Sequence, residues 1–216
     1  MILTGSSEFV VYPYLKRAMD VIVAAAGLVL LSPVFVALAA AIKFDSPGPV
    51  FYRGVRIGLE GRPFRMLKFR TMVSDAERRG GTSTADSDPR ITRVGAVLRR
   101  GKLDELPQLI NVLTGDMSLV GPRPQVAHDV EKYTAAERAL LSVRPGVTDY
   151  ASIRFRDEGR ILEREPDPDE AYIRLIRPEK IRLGLEYVRT ASLRVDLKIL
   201  AQTMVSVFGR SEVSDR

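Results

Sequence analysis

The chain contains no cysteine, no tryptophan and a single histidine, His128, among its 216 residues. The absence of cysteine excludes disulfide bonds and thiolate metal sites, and a single imidazole excludes a site built from several histidines. A metal ion bound by this chain would therefore take oxygen ligands, which favours Mg²⁺ or Ca²⁺ over softer metals.

Acidic residues are outnumbered, with 27 Asp and Glu against 33 Lys and Arg, which gives a net charge of +6. This surplus suits nucleic acid, anionic lipid headgroups or phosphorylated substrates, and it does not choose among them. Hydrophobic residues make up 45% of the chain. That content is enough to bury the core of one domain and argues against general disorder.

One stretch lacks charge altogether, "VIVAAAGLVLLSPVFVALAAAI" at residues 21–42. As a single helix it would be about 33 Å long, close to the thickness of a bilayer's hydrocarbon core. A buried core helix is disfavoured because few soluble helices are apolar on every face. A cleaved signal peptide is disfavoured because its apolar region is shorter. The stretch therefore predicts a membrane segment.

A proline interrupts this segment near its middle, where Ser32 precedes Pro33. Proline removes a backbone donor, and a neighbouring hydroxyl can satisfy the carbonyl that is left free. Basic residues lie on both sides, at Lys16, Arg17 and Lys43 among others. This arrangement fits a hairpin whose two ends stay cytoplasmic, and it also fits a single span.

The part that follows predicts a small β-hairpin, because two short runs flank the turn "GLEGRP" at residues 58–63. In the second run, alternation places Lys68 and Arg70 on one face and Leu67 and Phe69 on the other.

Residues 74–90, "SDAERRGGTSTADSDPR", contain little apolar surface and paired glycines, which predicts a mobile loop of the kind that can cover a phosphate site.

Two adjacent acids, Asp104 and Glu105, precede Pro107 at the start of an amphipathic helix. Proline is accepted in the first turn of a helix, so the helix is predicted to start near Asp104. The acids would then meet the positive end of the helix dipole, which favours ionised carboxylates. Capping of the helix by Asp104 is the alternative interpretation.

The C-terminal region predicts further helices. A capping signature at residues 167–170 introduces one of them. Leu193, Leu197, Leu200, Met204 and Val207 form a helical stripe that we expect to pack on the domain rather than lie in a membrane interface. Together these patterns predict a helix-rich α+β chain with no internal repeat and one cytosolic unit.

Several motifs then follow one another in the order typical of one family, across residues 16–208. The chain resembles the bacterial sugar transferases, the small monotopic phosphoglycosyl transferases. The motifs are "KRAMD" at 16–20, "SP" at 32–33, "KFRTM" at 68–72, "LDELPQLINVLTGDMSLVGPRP" at 103–124, "VRPGVT" at 143–148 and "VDLKI" at 195–199.

The resemblance implies an enzyme that transfers a phosphosugar from a UDP-sugar to undecaprenyl phosphate and releases UMP, as the first membrane step of surface polysaccharide or glycoconjugate synthesis. It implies a re-entrant helix broken at Ser32 and Pro33, interfacial amphipathic helices, and a catalytic domain on the cytoplasmic face of the bacterial inner membrane. Residues 1–44 would form the anchor and 45–216 one catalytic unit. Because the larger members' N-terminal spans are not seen, the chain looks like the minimal catalytic form. No nucleic-acid partner is expected.

The resemblance also assigns roles to individual residues. Asp104 matches the family nucleophile, and Glu105 matches its partner, which binds Mg²⁺. Basic residues that match the phosphate-binding positions are Lys68, Arg99, Arg123 and Arg144. Elementary chemistry agrees with these roles, because a carboxylate attacks phosphorus only when ionised and cations neutralise the diphosphate.

One segment departs from the family pattern. Many members have a Gly-Trp-Ala-Gln type sequence where residues 149–159 here read "DYASIRFRDEG". The segment would shape the sugar or nucleotide pocket, so the donor sugar stays open. Two other functions are also compatible with parts of the sequence: a membrane-anchored basic protein without catalysis, and a glycosyl transferase that moves sugar without phosphate and releases UDP.

Overall fold

A computed structural model describes residues 6–79, 87–163 and 165–208 of the chain. It is rich in helix and contains two small sheets, which confirms the helix-rich α+β prediction for these residues. The helices are α1 Ser6–Leu30, α2 Ser32–Asp45, α3 Arg93–Arg100, α4 Gln108–Thr114, α5 Ala127–Glu131, α6 Tyr150–Arg154, α7 Glu158–Glu163, α8 Pro168–Ala171, a π-helical turn Tyr172–Ile176, α9 Arg177–Thr190 and α10 Leu193–Phe208.

The predicted break at Ser32 and Pro33 is confirmed as a bend between α1 and α2. Pro33 cannot donate to the carbonyl of Val29, four residues earlier, and the Ser32 hydroxyl donates to that carbonyl instead at 2.8 Å. Among the described residues no single helix is long and apolar enough to cross a membrane. The pair Val11–Leu30 and Ser32–Asp45 together has the required length and hydropathy, and it bends by 62° at the break.

The predicted β-hairpin is also confirmed. Strands β1, Phe51–Ile57, and β2, Pro63–Phe69, pair antiparallel. A second sheet joins β3, Ser118–Val120, to β4, Gly146–Thr148, in parallel. It brings the segment after α4 beside the segment that precedes α6, although the two are distant in sequence.

The largest core cluster joins α1 to the remaining elements. Its buried members come from α1, β2, α4, β3, α9 and α10, together with Met117. A second cluster packs Ile42 of α2 against Phe69 of β2 and Leu98 of α3. One side of the α1–α2 pair therefore belongs to the same packed unit that holds the sequence motifs quoted above.

Outward-facing side chains of the α1–α2 pair are strongly apolar. Exposed fractions reach 67% at Ile22, 77% at Leu30, 70% at Val36 and 92% at Phe44. A helix buried in a soluble core would hide such residues, so the core-helix interpretation of this segment does not hold.

The stripe predicted for the last helix packs on the domain only in part. Asp196 and Ile199 of α10 are fully buried, whereas Leu197 and Met204 of the predicted stripe are 53% and 57% exposed. The buried face is offset from the apolar stripe because it carries a polar residue that hydrogen-bonds inside the core. Leu200 of the stripe does pack against the largest core cluster, so apolar periodicity located the buried face only approximately.

The loop predicted for residues 74–90 lies partly outside the described residues, which leave out 80–86. Its described ends contain a 3₁₀ turn, Ala76–Arg79, and an ion pair of 2.6 Å between Asp88 and Arg90.

Further along the chain, the predicted capping signature is confirmed, because the Asp167 carboxylate accepts from the backbone amides of Asp169 and Glu170.

Candidate active site

The two adjacent acids lie in a 3₁₀ turn, Leu103–Glu105, which connects α3 to α4. The prediction that the α-helix starts near Asp104 was wrong, because α4 begins at Gln108 and Pro107 is its N-cap. Without an amide hydrogen, Pro107 cannot donate to the carbonyl of Leu103, so this stretch winds with i to i+3 bonds until Gln108. The acids therefore precede the helix rather than occupy its first turn.

Glu105 is held by two cations that come from different parts of the chain. Its Oε1 accepts from the Lys68 ammonium of β2 at 2.9 Å, and the same atom contacts Nη2 of Arg123. The other terminal nitrogen of Arg123 donates to the carbonyl of Val147 at 2.8 Å, which fixes the guanidinium against β4. The hairpin and the loop after β3 thus converge on one carboxylate.

Asp104 is only 7% exposed and has a looser partner, since its Oδ2 lies 3.9 Å from the Lys68 ammonium. Burial raises the pKa of Asp104, attraction to Lys68 opposes that rise, and repulsion by Glu105 adds to it. For Glu105, burial also disfavours the charge, but attraction to Arg123 and Lys68 outweighs burial and lowers its pKa. The pKa values of the two neighbouring acids are therefore shifted in opposite directions.

Two further basic residues were predicted to bind phosphate, and the structure places them differently. Arg99 of α3 is close enough for its charge to lower the pKa of Asp104, so it borders the acid pair. Arg144 is exposed, and its Nε donates to the carbonyl of Gly115 at the end of α4 at 2.9 Å. Direct contacts thus bring Lys68 and Arg123 to the acids, Arg99 lies nearby without a direct contact, and Arg144 is bonded elsewhere.

Asn111 positions this cluster, and its role was missed in the sequence. Its side chain accepts from the amide of Leu67 at 2.9 Å and donates to the carbonyl of Arg65 at 2.9 Å. These two bonds attach α4 to β2 and so set Lys68 opposite Glu105. A polar residue at 3% exposure in the middle of an apolar helix was the signal that could have identified it.

A cleft is lined in part by Arg123. Its volume is about 440 Å³, which includes space open to solvent. We call it the tyrosine cleft, and its polar lining includes Arg123, Asp129, Tyr133, Asp149, Tyr172 and Lys180. These side chains come from widely separated parts of the chain, and only Asp149 belongs to the segment where the sequence departs from the family pattern.

Metal ligands beyond the acid pair are few. In the described ranges, no group of three or more His, Asp or Glu side chains could hold a metal ion. Mg²⁺ is nevertheless commonly bound by one or two carboxylates together with substrate phosphates and water. The adjacent carboxylates of Asp104 and Glu105 match that donor set.

Comparisons with known proteins agree on one family. A model of the bacterial sugar transferases matches residues 11–210. The UDP-glucose:undecaprenyl-phosphate glucose-1-phosphate transferase of Escherichia coli (strain K12) is 41% identical over 198 residues, which cover 90% of this chain and 40% of that protein. The protein of the same name from Caulobacter vibrioides is 41% identical over 196 residues, 89% of this chain and 69% of its own length.

A shorter relative extends the match to most of its own length. The exopolysaccharide production protein ExoY of Rhizobium meliloti is 39% identical over 207 residues, which cover 89% of this chain and 84% of that protein. The chain thus spans less than half of the Escherichia coli relative and most of the Rhizobium one. Because the family model covers the acid pair, the three cations around it and the broken helix alike, the chain belongs to the bacterial sugar transferase family.

Proposed function

We propose that this chain is a phosphoglycosyl transferase, which moves a phosphosugar from a UDP-sugar to undecaprenyl phosphate and releases UMP. The observation that carries the proposal is the buried acid pair, in which Glu105 is bound by Lys68 and Arg123 while Asp104 is left with a looser partner. The names of the relatives, which act on UDP-glucose or UDP-N-acetylgalactosamine with undecaprenyl phosphate, support the same reaction.

In the first step, a carboxylate oxygen of Asp104 attacks the phosphorus that bears the sugar. The bond from that phosphorus to the bridging oxygen breaks, UMP leaves with the electron pair, and an aspartyl phosphosugar is formed. Lys68, Arg99 and Arg123 stabilise the negative charge that develops on the phosphoryl oxygens and on UMP. In the second step, a phosphate oxygen of undecaprenyl phosphate attacks the same phosphorus and the Asp104 carboxylate leaves.

Magnesium fits this site, with Glu105 as the ligand. A bound Mg²⁺ would neutralise charge on the diphosphate and so assist departure of UMP. Glu105 suits this role because its lowered pKa keeps it ionised. Lys68 and Arg123 hold the same carboxylate, so they fix its orientation as well as contact phosphate.

The acceptor is a lipid, so we propose that α1 and α2 form a re-entrant anchor with both ends on the cytoplasmic face of the inner membrane. The 62° bend at Ser32–Pro33 and the exposed apolar side chains of both helices support this arrangement. Packing of Ala24 and Ile42 into the two core clusters fixes the anchor to the catalytic elements. The acid pair would then work next to the headgroup region, where the lipid phosphate lies.

The by-product tests the reaction. The purified chain in lipid nanodiscs should release UMP from at least one donor of a UDP-sugar panel when undecaprenyl phosphate and Mg²⁺ are present. Asp104→Asn is the matched control and should be inactive. Release of UDP instead of UMP would indicate transfer of sugar without phosphate, and release of neither from any donor would contradict the proposal.

A further inference from the structure

We infer that the tyrosine cleft binds the sugar ring of the donor, an inference that rests on the function proposed above. The enclosed part of the cleft is about 30 Å³ and the rest is open to solvent, so hydroxyl groups of the sugar would enter it while the ring lies across its mouth. Its lining combines tyrosine rings with carboxylates, and this mixture is suited to a ligand with an apolar ring face and many hydroxyl groups.

The position of Arg123 connects the cleft to the reacting atoms. Its guanidinium lines the cleft and also contacts Glu105, next to the nucleophile Asp104. The phosphorus that Asp104 attacks is bonded through oxygen to the sugar, whereas the uridine lies one phosphate further away. A cleft separated from the acid pair by a single guanidinium is therefore placed for the sugar.

The cleft offers hydrogen-bonding groups that are not already used. Within the described part of the chain, the hydroxyls of Tyr133 and Tyr172 form no hydrogen bond, although Tyr133 is only 8% exposed. Burial raises the pKa of both hydroxyls, so they remain protonated and able to donate. Asp149 is 3% exposed and uses one oxygen to cap α6 through the amide of Ser152 at 2.6 Å. Sugar hydroxyls need both donors and acceptors of this kind.

The charges in the cleft favour a neutral polyol over a second phosphate. Lys180 is paired with Glu158 at 2.6 Å, and Arg177 lies 3.8 Å from Glu137. A phosphate group in the cleft would have to compete with these carboxylates, and it would also lie near the buried Asp149. Arg123 offers no free terminal nitrogen either, because Glu105 and the Val147 carbonyl bind both of them.

Two conservative substitutions test the inference, Tyr133→Phe and Tyr172→Phe. Each removes one hydroxyl and keeps the ring, including the Lys180 contact with the Tyr172 ring at 5.0 Å. The matched control is Tyr150→Phe, which lies in the same region but packs against the main core cluster. The readouts are the KM of the donor that the wild-type protein turns over fastest, and the inhibition constant of UDP, which lacks the sugar.

Each cleft substitution should raise the donor KM about three- to tenfold, the loss of one neutral hydrogen bond, and should leave the inhibition constant of UDP unchanged. Tyr150→Phe should change neither value. An equal loss of UDP and donor binding would assign the cleft to the nucleotide and overturn the inference. Unchanged values in both cleft variants would also overturn it. Should Tyr133→Phe fail to fold, Tyr172→Phe decides alone.

These outcomes are distinct from a failure of the proposed function. If the wild-type protein releases UMP normally and the tyrosine variants behave like the control, the cleft assignment fails and the phosphoglycosyl transfer stands. If the wild-type protein releases no UMP from any donor of the panel, the transfer itself fails, and the assignment of the cleft to its sugar fails with it.

Discussion

Two adjacent carboxylates, whose pKa values are shifted in opposite directions, suit the two different roles proposed for them. Glu105 is ionised and fixed because Lys68 and Arg123 both bind it, and this lowers its pKa. Burial raises the pKa of Asp104, so its anion is the less stabilised of the two. A less stabilised carboxylate is the better nucleophile, and a firmly held one is the better metal ligand.

The role of Glu105 predicts a metal-dependent phenotype. Even partners outside the ligand shell change metal affinity by about 10–100-fold. Glu105→Gln should therefore raise the Mg²⁺ concentration for half-maximal activity by at least about tenfold. Glu131→Gln, an exposed change at the end of α5, is the control. The measurement is a Mg²⁺ titration of UMP release after EDTA treatment, and full activity in the chelator would contradict the assigned role.

Arg123 makes two directed contacts that a lysine cannot reproduce, one to Glu105 and one to the Val147 carbonyl. Arg123→Lys should lower kcat/KM by about 10²-fold, the scale of losing one donor to the developing charge. Arg144→Lys, which alters an arginine bonded to Gly115 instead, should change it little. Equal losses in the two variants would show that Arg144 also serves the phosphates.

At the scale of elements, α1 is attached to the catalytic part of the chain through its "KRAMD" segment. Lys16 pairs with Asp196 of α10 at 2.9 Å, and Arg17 donates to the last carbonyls of α4, those of Val112 and Leu113, at 2.6 and 2.9 Å. Asp20 accepts from the amide of Leu119 at 3.1 Å. Helix α1 and α4, the helix that follows the acid pair, therefore hold each other in place.

This attachment predicts a loss of stability in Arg17→Met. The change removes a cation that caps the C-terminal carbonyls of α4, where a positive charge is favoured. We expect the free energy of unfolding to fall by about 1–3 kcal/mol, the range for a lost charged hydrogen bond. Arg194→Met, an exposed change on α10, should leave it nearly unchanged. Thermal unfolding in nanodiscs measures both, and equal melting temperatures would contradict the prediction.

Elements set by local signals could be predicted, and those set by tertiary partners could not. The hairpin and the break at Pro33 follow from turn residues and a missing amide, which act within a few positions. The buried face of α10 depends on Asp196, which accepts from Tyr187 of the preceding helix and from Tyr12, 184 positions away in sequence. The tyrosine cleft likewise combines side chains that are distant in sequence, so no sequence spacing predicts it. The acid pair was recognised by its motif, whereas its cations converge only in three dimensions.

For the whole molecule, the fold places a bent apolar helix pair beside a compact catalytic unit. The proposed topology predicts that residues 6 and 74 lie on the same, cytoplasmic side of the membrane. The natural chain has no cysteine, so single cysteines at these positions can be labelled without background. In intact cells neither should react with an impermeant reagent, and both should react after permeabilisation. Labelling of position 6 alone from outside would show a spanning segment.

Pro33→Ala tests the cause of the bend in the same assay. Alanine restores the amide that proline lacks, so the helix can continue with its bond to the Val29 carbonyl, which is favoured in lipid. The fraction of molecules with position 6 outside should rise in this variant. Ser32→Ala is the matched control, since it removes the hydroxyl contact to Val29 but keeps the proline. An unchanged topology in Pro33→Ala would mean that packing, rather than the proline, sets the bend.

The central claim is that Asp104 carries the phosphosugar, and one measurement tests it most directly. The wild-type protein is incubated with its UDP-sugar and Mg²⁺ in the absence of undecaprenyl phosphate, and both the released UMP and the mass of the peptide containing Asp104 are measured. We expect one UMP per protein and one added phosphosugar on that peptide, neither of which appears in Asp104→Asn, whose turnover should fall by about 10⁴-fold or more. UMP release that strictly requires the lipid, with no added mass on Asp104, would contradict it and indicate direct attack by the lipid phosphate.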